Sequence, residues 1–249
     1  MCETCETPKN TLHDRRQILG YASALLGSAM TGLVPGVALA DDCAPFLADA
    51  QSATTPDQAI GFLVEGNARF AAGAPLNCDP LPGVAATAEG QTPFACVLAC
   101  IDSRSAPELV FDQQIGDLFV ARVAGNVATP EVLGSFEYAA AVAGAKAIIV
   151  LGHNHCGAVK GAVDRADVGE NLTTLLNEIE PAVIATPLEG ERSSHNHEFV
   201  EAVAENNVRM AVAKFTSDSP VLGGMVASGA IKVVGALYDI ETGKVTFLA

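Results

Sequence analysis

The chain has 249 residues, 49% of them hydrophobic, which is enough to bury the core of one domain or of two small ones. Its formal net charge is −15 at neutral pH. This charge argues against nucleic acid or an anionic membrane surface as a partner, because phosphate binding needs clustered lysine and arginine.

The first forty residues have the pattern of an export signal. Arg15 and Arg16 form a twin-arginine pair, and a weakly apolar stretch follows them. That stretch contains glycine, serine, threonine and Pro35, so it favours a cleaved signal over a stable membrane anchor. An Ala-Leu-Ala triplet ends at Ala40, where we expect cleavage. The pattern predicts a signal over 1–40, recognised by the twin-arginine (Tat) export machinery, and a periplasmic or otherwise exported mature chain.

Seven cysteines are present, and five of them lie outside the motifs described below. Cys2 and Cys5 precede the arginine pair and would leave with the signal. Cys96 lies inside a predicted strand, where it is interpreted as a small buried apolar residue. An oxidising periplasm would permit a disulfide between Cys43 and Cys78. The sequence leaves open whether these two meet.

The mature chain alternates between predicted helices and strands after a loose lead-in over 41–54. A helix opens at Thr55 and runs through Phe70, with apolar residues at helical spacing. The stretch 73–91 is rich in proline, glycine and alanine, which predicts a loop with room for a short helix. Further along we predict strands at 94–99, 118–123, 147–151, 231–238 and 245–248, and helices at 107–111, 130–142, 157–163, 172–185 and 199–215.

This order of elements predicts an α/β fold. Near-continuous apolar strands that alternate with helices indicate a mainly parallel sheet covered by helices on both faces. A turn over 239–243 followed by the last short strand predicts an antiparallel edge strand at the C-terminus. The sequence contains no repeat, low-complexity tract or linker, so we expect a single domain over 41–249.

Two motifs that follow predicted strands together indicate a zinc site. Cys100 follows the first strand, in ACIDSR, whereas His153 and Cys156 follow the third, in GHNHCG. Ligands gather beyond the carboxyl ends of parallel strands, and catalytic zinc keeps three protein ligands with a fourth position open. Cys156 is also expected near the amino end of a helix, where the dipole favours a thiolate. We therefore expect one Zn²⁺ held by Cys100, His153 and Cys156.

A carboxylate and a guanidinium stand just past the first cysteine. Asp102 and Arg104 are two residues apart, so in an extended segment they project to the same side. A bidentate pair with Arg104 would hold the Asp102 carboxylate ionised and oriented. The carboxylate could then accept a hydrogen bond from a zinc-bound hydroxide, or turn away from Arg104 and ligate the zinc in a closed state. A structural ion pair at the surface is the alternative.

These motifs resemble those of the β-class carbonic anhydrases, and the resemblance covers nearly the whole mature chain. Two departures stand out: Asn154, where the family often has serine, and Val97, where some bicarbonate-inhibited members have tryptophan. The second departure disfavours a tryptophan-based bicarbonate site. The matching segments are GFLVEGNARFAAG at 61–73, ACIDSR at 99–104, PE at 107–108, GDLFV at 116–120, RVAGN at 122–126, LGHNHCGAV at 151–159, NVR at 207–209 and GALYD at 235–239.

The resemblance implies reversible hydration of carbon dioxide to bicarbonate and a proton. Zinc would lower the pKa of bound water to about 7, and the zinc hydroxide would attack carbon dioxide as the nucleophile. The Asp102–Arg104 dyad would orient that hydroxide. Gln91 stands where the family places a glutamine that hydrogen-bonds the substrate, and the Gly157 backbone N–H would help to hold a substrate oxygen.

The resemblance also implies an assembly. The family is dimeric or built from dimers, with the N-terminal helix packed on the partner subunit. Residues 55–73 form an amphipathic helix separated from the first strand by a flexible loop, so we expect them to pack in this way. The expected partners are thus carbon dioxide and bicarbonate, a second copy of the chain and the export machinery, with no nucleic acid and no stable membrane anchor.

Three other functions stay open at this point. A hydrolase acting on carbon disulfide or carbonyl sulfide would have similar zinc motifs and a different pocket. A zinc-binding or sensing protein without turnover would need neither the Asp102–Arg104 pair nor Gln91. A thiol redox protein using Cys2 and Cys5 would need a thioredoxin-like βαβ setting, which these residues lack.

Overall fold

The computed structural model describes residues 43–44, 46–187 and 190–248. Within them, five strands form one sheet. The strands are β1 (Ala95–Ala99), β2 (Leu118–Arg122), β3 (Ala147–His153), β4 (Lys232–Tyr238) and β5 (Val245–Phe247).

The sheet has the strand order β2-β1-β3-β4-β5. β1 to β4 are parallel, and β5 runs antiparallel along β4 as the edge strand. β1 lies between β2 and β3, with Ala99 opposite both Arg122 and Leu151. The predicted fold class is confirmed.

Helices connect the strands, together with a 3₁₀ turn at Ala124–Asn126 and a π-helical segment at Tyr138–Val142. None of the helices in the described part of the chain is both long and apolar enough to cross a bilayer. The helices are α1 (Ala48–Ala53), α2 (Pro56–Ala71), α3 (Pro80–Ala86), α4 (Pro107–Val110), α5 (Pro130–Glu137), α6 (Gly157–Val163), α7 (Glu170–Asn177), α8 (Glu180–Ala185), α9 (His197–Ser217) and α10 (Pro220–Ala227).

The helices cover both faces of the sheet. Every residue of β1 and β3 is buried, as expected of parallel strands packed on two sides. Val97 faces α2 and α4, whereas Cys96 and Leu98 face α5, α9 and α10. Cys96 is fully buried, and burial raises the pKa of its thiol well above the ordinary value, which confirms its interpretation as an apolar core residue.

Two expectations about the helices need correction, and one helix was not predicted. The predicted helix over 172–185 is two helices, α7 and α8, because Pro181 in the first turn of α8 has no N–H to continue a helix from α7. The lead-in over 41–54 contains α1, and α10 was not predicted. By contrast, α2 begins as predicted, with a capping box in which the side chains of Thr55 and Gln58 accept each other's backbone N–H.

Helix α2 packs one of its faces on the sheet of its own subunit, and its expected packing on a partner subunit stays a prediction. Ala59 and Leu63 are fully buried against the sheet of the same chain. Gly66 lies so close to α4 that a Cβ there would stand 1.8 Å from the Phe111 carbonyl oxygen. Asn67, which is also buried, donates to Val110 and Gly243 carbonyls and accepts from the Val245 N–H. These contacts give the glycine and asparagine of the GNARF segment a structural role.

The predicted signal over 1–40 and its cleavage site lie outside the described residues. All described residues belong to one unit that spans 40–249. The division into a signal and a single domain over 41–249 stays a prediction.

Cys43 and Cys78 form a disulfide, which answers the question that the sequence left open. Their Cα atoms are 5.5 Å apart, and the bond spans 35 residues that include α1 and α2. It therefore ties the start of the domain to the loop before α3. A cross-link stabilises mainly by restricting the unfolded chain, so its contribution depends on the length of the loop it closes.

Removal of this disulfide is expected to lower the free energy of unfolding by about 3–4 kcal/mol, the amount typical for a loop of this length. The change is the double substitution Cys43→Ser/Cys78→Ser, measured by urea denaturation against the unchanged chain. Under reducing conditions the two proteins should have equal stability, which is the control. A difference below about 1 kcal/mol under oxidising conditions would contradict the prediction.

Candidate metal centre

Two cysteines and a histidine converge at the carboxyl ends of neighbouring strands. Cys100 directly follows β1, His153 is the last residue of β3, and β1 pairs with β3. Cys156 comes three residues later, at the N-cap of α6. The sulfur atoms of Cys100 and Cys156 are 4.0 Å apart, and the three potential ligand atoms lie within 4.8 Å of one another. All three side chains are buried, so the residues that the sequence singled out do come together.

The donor set fits a zinc ion. The Nδ1–H of His153 donates to the Asn154 carbonyl at 2.7 Å, which leaves Nε2 as the free lone pair of a neutral ring. That Nε2 is buried and has no hydrogen-bond partner among the described residues. A buried polar atom without a partner is costly, and coordination of a metal would satisfy it. Two thiolates and one imidazole are the ligands that zinc prefers.

The sulfurs of Cys100 and Cys156 lie within hydrogen-bond distance, so the pKa values of the two thiols shift in opposite directions. The hydrogen bond from the Cys156 thiol lowers the pKa of Cys100 to about 4, with help from His153 and the Gly125 N–H and against the effect of burial. The pKa of Cys156 is raised by that same hydrogen bond and by burial beside a charged sulfur. Binding of a metal by both sulfurs as thiolates would release the proton of the Cys156 thiol.

The pKa of His153 is raised above its ordinary value. Burial alone would lower it, but the nearby Cys100 sulfur and the hydrogen bond to the Asn154 carbonyl outweigh burial. The histidine thus lies in an environment that already favours positive charge at its ring, as expected beside two sulfur ligands.

Asp102 and Arg104 form a bidentate pair beside the cluster. Arg104 donates from Nε to Oδ1 at 2.9 Å and from Nη2 to Oδ2 at 2.7 Å, and its backbone N–H donates to Oδ1 at 2.9 Å. These bonds hold the pKa of Asp102 well below its usual range. The two side chains meet across a turn at Ser103 and not along an extended segment.

The pair leaves one carboxylate oxygen close to the cluster. Asp102 Oδ2 lies 3.9 Å from His153 Nε2, yet the carboxylate is engaged by Arg104 and does not belong to the group of potential metal ligands. The side chain of Asp102 is 15% exposed and that of Arg104 is 54% exposed, so this end of the cluster faces solvent.

Gly157 and Gln91 differ in their relation to the cluster. Gly157 is the first residue of α6, next to Cys156, and is exposed. Gln91 is also exposed, but it precedes the amino end of β1, whereas Cys100 follows the carboxyl end. Because β1 alone spans roughly 13 Å, Gln91 lies near the amino ends of the parallel strands, whereas the cluster of its own subunit lies at their carboxyl ends.

Three further residues, which no sequence motif marks as ligands, hold the cluster in place. Arg122 donates to the backbone carbonyls of Cys100 at 3.0 Å and Asp102 at 2.5 Å. The Gly125 N–H donates to the Cys100 sulfur, and Asn207 donates to the Gly125 carbonyl. These residues lie within the matching segments RVAGN and NVR. The match of these segments to the family was the available signal. Hydrogen bonds to backbone atoms cannot be predicted from residue types, because every residue has a backbone carbonyl.

Comparisons with known proteins agree with this geometry. A family model described as carbonic anhydrase matches residues 95–245. The carbonic anhydrase of Mycolicibacterium smegmatis is 37% identical over 195 residues, which cover 77% of this chain and 93% of the relative. Carbonic anhydrase 2 of Mycobacterium tuberculosis is also 37% identical over 195 residues, with 77% and 92% covered.

Solved structures with the same fold include a tetrameric β-carbonic anhydrase from Sordaria macrospora. It has a TM-score of 0.58 and 25% identity, with 78% of this chain and 92% of that chain covered. A Coccomyxa β-carbonic anhydrase in complex with acetazolamide has a TM-score of 0.59 and 26% identity, with 66% and 75% covered. The family model, the relatives and the fold agree, and the chain therefore belongs to the carbonic anhydrase family of lyases, in its β class.

Proposed function

We propose that the chain catalyses the reversible hydration of carbon dioxide to bicarbonate and a proton. The observation that carries this proposal is the buried cluster of Cys100, His153 and Cys156 directly beside the Asp102–Arg104 pair. The three residues would hold Zn²⁺ as two thiolates and a neutral imidazole. When bound there, zinc supplies a water molecule with a pKa near 7, and so a nucleophile at neutral pH.

The residues around the cluster have separate tasks in this proposal. Asp102 Oδ2 takes one hydrogen bond from Arg104 and keeps a second acceptor position, 3.9 Å from His153 Nε2. There it would accept a hydrogen bond from the attacking oxygen and so orient that oxygen toward carbon dioxide. The Gly157 N–H, at the start of α6, has no partner within its helix and would donate to a bicarbonate oxygen. A closed state with Asp102 as a fourth ligand would require the carboxylate to leave Arg104.

Carbon dioxide hydration by the purified mature chain tests this function directly. The chain starting at Asp41 is assayed from mildly acidic to alkaline pH, with bound zinc quantified in each sample and carbon disulfide and carbonyl sulfide as further substrates. One zinc per chain with hydration activity is the expected result. A zinc-loaded chain that is inactive toward carbon dioxide at every pH would overturn the proposal, and activity on a sulfur substrate would then replace it.

We propose further that the working unit is a homodimer or a dimer-based oligomer. In the described part of the chain the outer edge of β2 is unpaired, and residues 118–121 of this strand are only half-buried. Such an edge presents backbone N–H and C=O groups that can pair with a strand of a second chain. Tyr138, which is 52% exposed, stacks edge-on against Phe119 of this strand and extends the apolar surface. The Sordaria enzymes are described as tetrameric, which is consistent with this proposal.

A dimer would also give Gln91 access to a metal cluster. Because Gln91 lies at the opposite end of the strands from the cluster of its own subunit, we propose that it hydrogen-bonds the substrate bound at the partner subunit's site. Gln91→Ala should then impair every site of a homodimer, and Cys156→Ser should inactivate every site.

A mixed dimer of one Gln91→Ala and one Cys156→Ser subunit should recover about half of the unchanged activity. Its one zinc-bearing site receives an intact glutamine from the other subunit. The measurement is the hydration rate of co-expressed, doubly tagged dimers. A rate no higher than that of Gln91→Ala alone would place the glutamine in its own subunit, and elution at the monomer mass in sizing would contradict the assembly itself.

We propose that the mature chain acts outside the cytoplasm, exported through the twin-arginine pathway. The twin-arginine pair supports this proposal, and so does the Cys43–Cys78 disulfide, since disulfides persist in oxidising compartments. Arg15→Lys/Arg16→Lys is expected to keep the full-length chain in the cytoplasm, whereas the unchanged chain is recovered outside it with Asp41 as its first residue. Fractionation and N-terminal mass determination check this. Equal export of the two chains would contradict the proposal.

A further inference from the structure

The sulfur of Cys100 receives a backbone hydrogen bond from a neighbouring loop. The Gly125 N–H donates to Cys100 Sγ at 3.3 Å, and both residues are buried. Hydrogen bonds to a ligating sulfur stabilise its negative charge and fix its direction. The position of the Gly125 peptide is therefore part of what shapes the metal centre.

That peptide is held in an uncommon conformation. Gly125 and Asn126 both have positive φ, 71° and 45°. Glycine adopts positive φ freely and asparagine more readily than other residues with a side chain, so neighbouring contacts must select this conformation over its alternatives. A Cβ at Gly125 would stand 2.5 Å from Ile179 Cδ1 and 3.3 Å from Ala158 Cβ, so a side chain at this position would displace its neighbours. Something must hold this loop in the geometry that points its N–H at the sulfur.

Asn207 is the residue that does so. Its Nδ2 donates to the Gly125 carbonyl at 2.8 Å. Asn207 belongs to the long helix α9, and its side chain is buried. Val203 and Val208 of the same helix are fully buried, so the amide projects from a rigid support. The carbonyl and the N–H of one residue belong to adjacent peptides, so fixing the Gly125 carbonyl restricts the rotation that would carry its N–H off the sulfur.

We propose that Asn207 is a positioning residue of the metal centre, acting through Gly125 on the Cys100 thiolate. The inference rests on the proposed metal site and adds to it a role for a residue that touches neither metal nor substrate. Loss of the Asn207 amide would leave a buried carbonyl without a donor and would leave the loop free to move. The cost would appear at the metal, because the Cys100 sulfur would lose its N–H donor.

The first test is the zinc affinity of Asn207→Leu, which nearly keeps the volume of the side chain but has no donor. We expect the dissociation constant to rise about 10–100-fold in competition with a chelator, the range typical of lost partners of metal ligands. The matched control is Asn206→Leu, one residue earlier on α9. The Asn206 amide donates to Thr186 Oγ1 at 3.2 Å and not to the loop beside Cys100, so this variant should keep the unchanged affinity. Equal losses in both variants, or in neither, would overturn the inference.

The second test reads the hydrogen bond itself and does not depend on a variant that folds. With cadmium-113 in place of zinc, a scalar coupling between the metal and the Gly125 amide proton should be detectable by NMR in the unchanged chain. It should disappear in Asn207→Leu and persist in Asn206→Leu. Absence of the coupling in a metal-loaded unchanged chain would overturn the inference and leave the proposed function standing. An unchanged chain that binds neither metal would instead contradict the proposed function.

Discussion

Cys156→Ser is expected to abolish zinc binding and carbon dioxide hydration together. Catalytic zinc keeps three protein ligands, and a serine hydroxyl stays protonated at neutral pH where a thiol beside a metal ionises. Among the residues that the structure describes, the cluster offers three donor atoms within 4.8 Å of one another, so two would remain. We expect zinc affinity to fall by more than the roughly 10–100-fold that follows loss of a partner of a ligand. Zinc content after dialysis against a chelator and the hydration rate are the two measurements.

The matched control for this variant is Cys96→Ala. Cys96 is a fully buried cysteine of the same domain, but it faces the helices α5, α9 and α10 and not the cluster. It should keep one zinc per chain and the unchanged hydration rate, with only a modest loss of stability. If Cys156→Ser kept its zinc, the ligand set would be wrong. If it lost zinc and kept its activity, the metal would not take part in the reaction.

The cluster could be predicted from the sequence because its ligands lie at or just after the ends of apolar runs. Cys100 and His153 each follow an apolar run, and parallel pairing of two such runs brings their ends together without further information. The same holds for Asp102 and Arg104, whose short separation lets them pair either along an extended segment or across the turn that the structure shows. The turn itself could not be predicted from the sequence. It forms because the Asp102 carboxylate accepts the Arg104 backbone N–H, and this bond competes with an extended conformation.

The missed features are those set by distant backbone atoms. Asn207 lies 82 residues from Gly125 and binds its carbonyl, which every residue type possesses. Asn67 likewise binds backbone groups of α4 and of the turn before β5. The contact of α2 with its own subunit depends in part on the close approach at Gly66, which hydrophobic periodicity alone does not reveal. The segments GNARF, RVAGN and NVR are thus explained by contacts, whereas the motif around the cluster is explained by chemistry.

Asp102→Asn separates the role of the dyad from that of the metal. Asparagine keeps the shape of the side chain but removes the charge that Arg104 binds through two parallel hydrogen bonds. Its amide can also turn a donor toward the cluster, where the proposed reaction needs an acceptor. Since Asp102 is not among the potential ligands of the cluster, zinc should stay bound. We expect kcat/KM for carbon dioxide hydration to fall about 10²–10³-fold, the range typical when one oriented polar group is lost from an active site.

A second ion pair of the chain provides the comparison. Glu205 and Arg209 form a solvent-exposed pair at 2.9 Å on helix α9, one turn apart. Such surface pairs contribute little, so Glu205→Gln should leave both zinc content and the hydration rate unchanged. If Asp102→Asn behaved like Glu205→Gln, the dyad would be a structural ion pair and another residue would have to orient the nucleophile. If it lost zinc as well as activity, Asp102 would support the metal itself, as the closed state requires.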